Sequence, residues 1–145
     1  MAEPNIWSND WESDDDWSGG GAETIRLPRG DELGATLYQL DPGDSVIFHF
    51  HHAQEELLIV LRGEPTLRGP EGERQLREGE AIHFPTGPGG AHGIRNDTDG
   101  PTRHMMVSTQ TLPEVAEYPD LKQVTARSSK ESQTGEPLWL IHDVE

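Results

Sequence analysis

The chain contains no cysteine, so it has neither disulfides nor thiolate metal ligands. No apolar run approaches the ~20 residues needed to cross a bilayer, and no membrane association is expected. The N-terminus is acidic and carries no hydrophobic stretch, which argues against a signal peptide and for a cytoplasmic location. Positive charge is scarce: 11 Lys and Arg face 27 Asp and Glu, a formal net charge of -16. Such a chain repels phosphate backbones, so nucleic acid is not an expected partner. Lys122 and Lys130 are the only lysines, which fits either a salt-rich cell or a genome composition bias. Hydrophobic residues make up 32% of the 145, and mean hydropathy is -0.73. The length suits one domain with a lean core and much loop and surface.

The first 21 residues stand apart. Trp7, Trp11 and Trp17 lie among Asp10, Glu12, Asp14, Asp15 and Asp16, and Gly19-Gly20-Gly21 follows. Three consecutive glycines read as a flexible joint. The segment is therefore expected to be an acidic, tryptophan-bearing arm, disordered or docked on a barrel. Residues 22–145 are expected to form the domain. Short apolar runs there are separated by DPGD, RGEP, RGPEGE, REGE, PTGPGG and NDTDGP, which are turn chemistry. The predicted strands are Thr24–Leu27, Ala35–Leu40, Ser45–Phe50, Glu56–Leu61, Thr66–Arg68, Arg74–Arg77, Ala81–Phe84, Ala91–Asn96, Thr102–Thr109 and Leu138–His142. A helical turn is expected at 112–117 and a polar loop at 125–137. Many short strands at this spacing indicate an all-β sandwich or barrel.

Chemistry concentrates in two segments, PGDSVIFHFHHAQEELLIVLRG and GEAIHFPTGPGGAHGIRN. Alternation on a strand points His49 and His51 the same way. A turn through His52, Ala53 and Gln54 returns Glu56 beside them, and His92 can complete a small-cation site. Borderline divalent metals favour imidazole and carboxylate together.

The spacing within the two segments resembles the two motifs of the cupin superfamily. The first is Gly43, five residues, His49-x-His51, four residues, Glu56, six residues, Gly63. The second is Gly79, five residues, Pro85-x-Gly87, then His92, three residues and Asn96. The family usually places two residues between the PxG glycine and the histidine; here Pro88, Gly89, Gly90 and Ala91 make four. A loop absorbs such an insertion at little entropic cost. The resemblance implies a double-stranded β-helix, a jelly-roll barrel holding one divalent transition metal ion per chain: Fe, Mn, Ni, Cu or Zn. Carried onto this chain, the ligands are His49, His51, Glu56 and His92, with Glu55 as the rival for Glu56. Asn96 is either an acceptor behind His92 or the start of a turn.

Tyr38, His83, Arg95 and His104 lie on predicted strands and can face the cavity. Of these, His104 is singled out as a proton carrier if its face is inward. His52 is expected to point away, and Phe48 and Phe50 to pack on an outer layer or an interface. Arg62, Arg68, Arg74 and Arg77 are expected to be solvated. The functional expectation is a metalloenzyme acting on a small organic molecule, with dioxygenase-type oxidation favoured. The alternatives are a metal-dependent isomerase or lyase, a non-catalytic small-molecule-binding barrel, and a structural barrel whose arm binds a partner protein. Homodimers are common in such barrels, and Phe48, Phe50, Trp139 and the N-terminal tryptophans can cover edge strands in one.

Overall fold

The computed structural model describes residues 4–13, 19–129, 133 and 135–144. The β-rich reading of the turn-punctuated sequence is correct. The strands are β1 (Glu12–Ser13), β2 (Glu23–Arg26), β3 (Leu33–Leu40), β4 (Ser45–His51), β5 (Glu56–Arg62), β6 (Thr66–Gly69) and β7 (Gly72–Gln75). They continue as β8 (Ala81–Phe84), β9 (His92–Arg95), β10 (Thr102–Thr109), β11 (Glu114–Tyr118), β12 (Gln123–Arg127) and β13 (Trp139–Asp143). Two antiparallel sheets result, ordered β1-β2-β3-β10-β5-β8 and β13-β12-β11-β4-β9-β6-β7. Their facing surfaces enclose Leu40, Leu58, Val60, Leu67, Leu76, Phe84, Ile94 and Met106. Alternation sets this core: Leu58 and Val60 are fully buried, while Leu57 between β5's inward positions is exposed.

Two expectations are overturned here. The segment expected to turn helically at 112–117 is the start of β11, which pairs with β4 through Ala116–His51 and Glu117–Phe50. The Glu114–Tyr118 run alternates buried Glu114 and Ala116 with half-buried neighbours, the period of a strand. The loop expected at 125–137 begins inside β12, whose partners are β11 and β13. β13 forms the open edge of the second sheet, with Trp139, Leu140 and Ile141 all exposed.

The N-terminal arm is docked where it is described; Asp14, Asp15, Asp16 and Trp17 lie outside the described residues. β1 pairs with β2, and Ile6 and Trp11 cover a second apolar cluster of Ile25, Leu27 and Leu37 on the outer face of the first sheet. Buried Arg103 clamps the arm. Its guanidinium donates to Ile6 O at 2.9 Å, Ser8 O at 3.0 Å and Asn9 Oδ1 at 2.5 Å, and lies 4.7 Å from the Trp11 ring centroid. Trp7 sits under Arg62.

The triple glycine is not a swivel. Ser45 N–H donates to Gly20 O at 2.8 Å, and a Cβ on Gly20 would stand 2.0 Å from Ser45 O. Glycine is required there for close backbone approach. Replacing Gly20 with Ala should destabilise the fold by about 1–3 kcal/mol, whereas Gly30→Ala, where no atom lies within 4 Å, should leave it nearly unchanged. Urea midpoints of the two variants check this.

Candidate metal centre

β4 and β5 leave one short turn between them, and that turn sets the site. His49 and His51 project inward from β4, and Glu56 is the first residue of β5. Their ligand atoms all lie within 4.8 Å of one another. β9 lies beside β4 with His92 opposite His49, and the two rings stand 4.7 Å apart. Glu56 Oε1 is 2.9 Å from His51 Nε2 and 3.2 Å from His92 Nε2. These approaches do not have hydrogen-bond alignment, and the three atoms are buried without such a partner. Glu55 is excluded as the inward carboxylate: it faces out and pairs with exposed His83.

The ring orientations follow from what the far nitrogens touch. His49 Nδ1–H donates to Ile47 O at 2.6 Å, and His92 Nδ1–H donates to Gly90 O at 2.8 Å. A carbonyl can only accept, so each ring carries a proton on Nδ1, and in its neutral form the Nε2 lone pair is free. His51 Nδ1 lies 3.3 Å from Glu114 Oε1, an ion-pair approach without hydrogen-bond alignment, and it too is buried without such a partner. Phe84 stacks on His92 at 3.8 Å, and Tyr118 stacks on His49 at 5.6 Å.

The insertion before His92 has a structural outcome. Residues Pro88–Gly90 form a 3-10 turn. A Cβ on Gly90 would lie 1.8 Å from Pro85 O, so the turn closes only on glycine. Its Gly90 carbonyl is the acceptor that orients His92.

Asn96 is not the acceptor behind His92. Its amide donates to Leu40 O and Gly100 O, and its Oδ1 accepts from Thr98, so it organises the turn after β9. Arg95 faces outward between Glu73 and Asp97, and His52 pairs with Glu117 at the surface. Phe48 lies under Arg68 outside the barrel. His104 is inward and fully buried, stacked on Tyr38 at 4.9 Å with an interplanar angle of 3°. Neither of its nitrogens has a hydrogen-bond partner. The sequence leaves two residues of the site unsignalled. Glu114 is hidden by the helical reading of its segment, and Tyr118 by distance along the chain.

Charge in the centre is polarised. Burial and the neighbouring imidazoles push His49 down to about 3, and burial with His92 nearby does the same to His104. Burial also disfavours the charged form of His51, but the carboxylates of Glu114 and Glu56 outweigh it and raise the group to about 9. Burial opposes ionisation of Glu56 too, yet His51 and His92 hold it well below the usual carboxylate range.

These shifts dictate a stability profile for the protein without metal. His51, raised from 6.5, contributes fully below pH 6.5 and loses its contribution as pH rises through about 9. His49 and His104, lowered from 6.5, contribute fully above pH 6.5 and lose theirs as pH falls toward about 3. Glu56 adds to the acid loss. The urea midpoint should therefore peak near pH 6.5, and His51→Gln should remove the alkaline decline. A wild-type midpoint still rising between pH 7 and 9 would contradict this.

Comparison with known proteins agrees with the architecture. A family model described as the cupin domain matches residues 36–108, half of the chain. No curated protein matches. Among solved structures, a sugar phosphate isomerase of the cupin superfamily from Silicibacter pomeroyi is 26% identical with a TM-score of 0.73, covering 85% of this chain and 76% of its own. The polyketide cyclase RemF from Streptomyces resistomycificus is 23% identical with a TM-score of 0.64, covering 79% of this chain and 83% of its own. KdgF from Halomonas sp. is 18% identical with a TM-score of 0.60, covering 71% and 87%. The last two show shared fold alone. Two facing antiparallel sheets, the paired motifs and the family match together establish that this chain belongs to the cupin family.

Proposed function

We propose that the chain is a divalent-metal-dependent enzyme acting on a small organic molecule, with His49, His51, Glu56 and His92 as the ligands. The observation that carries this is the set of buried, hydrogen-bond-orphaned atoms at one point: Nε2 of His51 and His92 and Oε1 of Glu56. Carbonyls fix the His49 and His92 tautomers so that both Nε2 lone pairs are available. Three imidazoles and one carboxylate fit a borderline first-row ion and do not select among iron, manganese, nickel, copper and zinc. When bound, such an ion polarises a substrate oxygen or activates water or dioxygen.

The protein's own groups supply the rest. Phe84 and the apolar barrel wall exclude water behind His92. His104, neutral and unpartnered, is placed to take or give a proton inside the barrel. Isomerase-type chemistry is supported by the likeness to the Silicibacter pomeroyi sugar phosphate isomerase over most of both chains. Dioxygenase-type oxidation rests on the ligand set alone. A homodimer is supported by the open β13 edge, where Trp139, Leu140 and Ile141 are exposed.

Elemental analysis of the purified chain should give one metal ion per chain, falling as acidification protonates the imidazoles. His49→Ala and Glu56→Gln should each lower occupancy by at least about 10-fold. Full occupancy in both variants would sink the assignment. Incubation with phosphorylated sugars, with and without oxygen, separates the chemistries: isomer formed anaerobically supports the first, and oxygen uptake coupled to product supports the second. Light scattering reads the dimer, which should dissociate in Leu140→Lys.

A further inference from the structure

Glu114 lies 58 positions beyond Glu56, on the first residue of β11, and it is buried. A buried carboxylate needs partners, and those of Glu114 all lie in the turn that carries the site. Its Oε1 accepts from the His52 N–H at 3.0 Å and stands 3.3 Å from His51 Nδ1; its Oε2 accepts from the Ala53 N–H at 3.0 Å. Val115 O accepts a second bond in the same place, from the His52 N–H at 2.8 Å. The carboxylate therefore ties down the residues between β4 and β5 and presents an anionic acceptor to the outer edge of His51. His49 and His92 meet neutral backbone carbonyls at the equivalent nitrogen. His51 is the one imidazole of the set backed by a charge.

From this geometry we infer that Glu114 is a positioning residue of the metal centre: it holds His51 with the proton on Nδ1, keeps Nε2 directed at Glu56, and increases the electron donation of that imidazole to a bound ion. The inference rests on the metal-site reading above. A carboxylate behind a ligating imidazole fixes ring and tautomer and raises ligand basicity, and its loss typically weakens metal binding 10- to 100-fold. The two backbone bonds give Glu114 a second task, closing the His52–Ala53 turn, so a variant must separate the two.

The test uses the full-length chain and zinc or cobalt(II) alone, with affinity read by chelator competition. Glu114→Gln keeps the shape and removes the charge; with its oxygen toward His51 and His52 it gives up only the bond from the Ala53 N–H, because an amide nitrogen cannot accept. It should weaken zinc binding about 10-fold, and Glu114→Ala about 100-fold. The cobalt(II) ligand-field spectrum should shift in Glu114→Gln, a change that a purely structural role would not produce in a folded variant. In the zinc-loaded wild type, nitrogen-15 spectra should show His51 protonated at Nδ1 and metal-bound at Nε2. That measurement decides the matter even if the variants fail to fold. Wild-type zinc affinity and spectrum in folded Glu114→Gln, or zinc on Nδ1 of His51, would overturn the role of Glu114 while leaving the site intact. No zinc or cobalt binding by the wild type would overturn the metal-site reading and this inference with it.

Discussion

Glu56 is an ionised carboxylate inside an apolar barrel, and the interior is arranged around keeping it so. A buried charge is tolerated only when opposite charge or strong donors surround it. His51 and His92 supply that from two strands, β4 and β9, and Glu56 itself comes from a third, β5. The constraint reaches outward. His51 can stay charged beside Glu56 because Glu114 lies on its other side, and Glu114 is there because β11 pairs with β4. One group of ion pairs thus links strands of both sheets.

The legible part of this protein is the part governed by short-range rules. Strand alternation put His49 and His51 on one face, and turn residues marked most strand limits to within a residue or two. Motif spacing chose Glu56 over Glu55, which the outward Glu55–His83 pair agrees with. What failed depended on contacts distant in sequence. The 112–117 segment opens with Leu-Pro-Glu, a plausible helix start, yet β4 recruits it as a strand. Glycines 19–21 read as flexible because glycine serves both freedom and close approach, and only the position of Ser45 reveals which. Asn96 was ambiguous for the same reason: its neighbours Leu40 and Gly100 lie on different connections.

The arm shows how an acidic, lean-cored chain extends its buried surface. The outer face of a jelly-roll sheet is ordinarily polar, but here Leu37 and Ile25 point outward and require cover. Ile6 and Trp11 supply it. Arg103 converts the resulting loop of backbone carbonyls into a fixed structure with charge-assisted hydrogen bonds. β10 therefore holds two structures with alternate residues. Arg103 anchors the arm outside, and His104 lines the interior, with a register irregularity against β5 between them. Alternation along β10 sends these two consecutive polar residues to opposite faces of the strand.

Among the described residues, the buried side-chain nitrogens and oxygens without hydrogen-bond partners belong to His51, Glu56, His92, His104, Thr102 and Arg103. Four of these six residues line one end of the barrel interior. Each unsatisfied buried polar atom costs about 1–3 kcal/mol, and random imperfection would scatter such atoms through the fold. Their concentration sets a polar patch against the apolar core around Leu58, Val60 and Ile94. A species that contacts these atoms recovers that free energy on binding and stabilises the native state in proportion to its affinity. His104 extends the unsatisfied surface beyond the four proposed ligand side chains, stacked on Tyr38 and paired in register with Val60. The region to be filled is therefore larger than one ion, and its polar lining calls for a ligand or water with hydrogen-bonding atoms of its own.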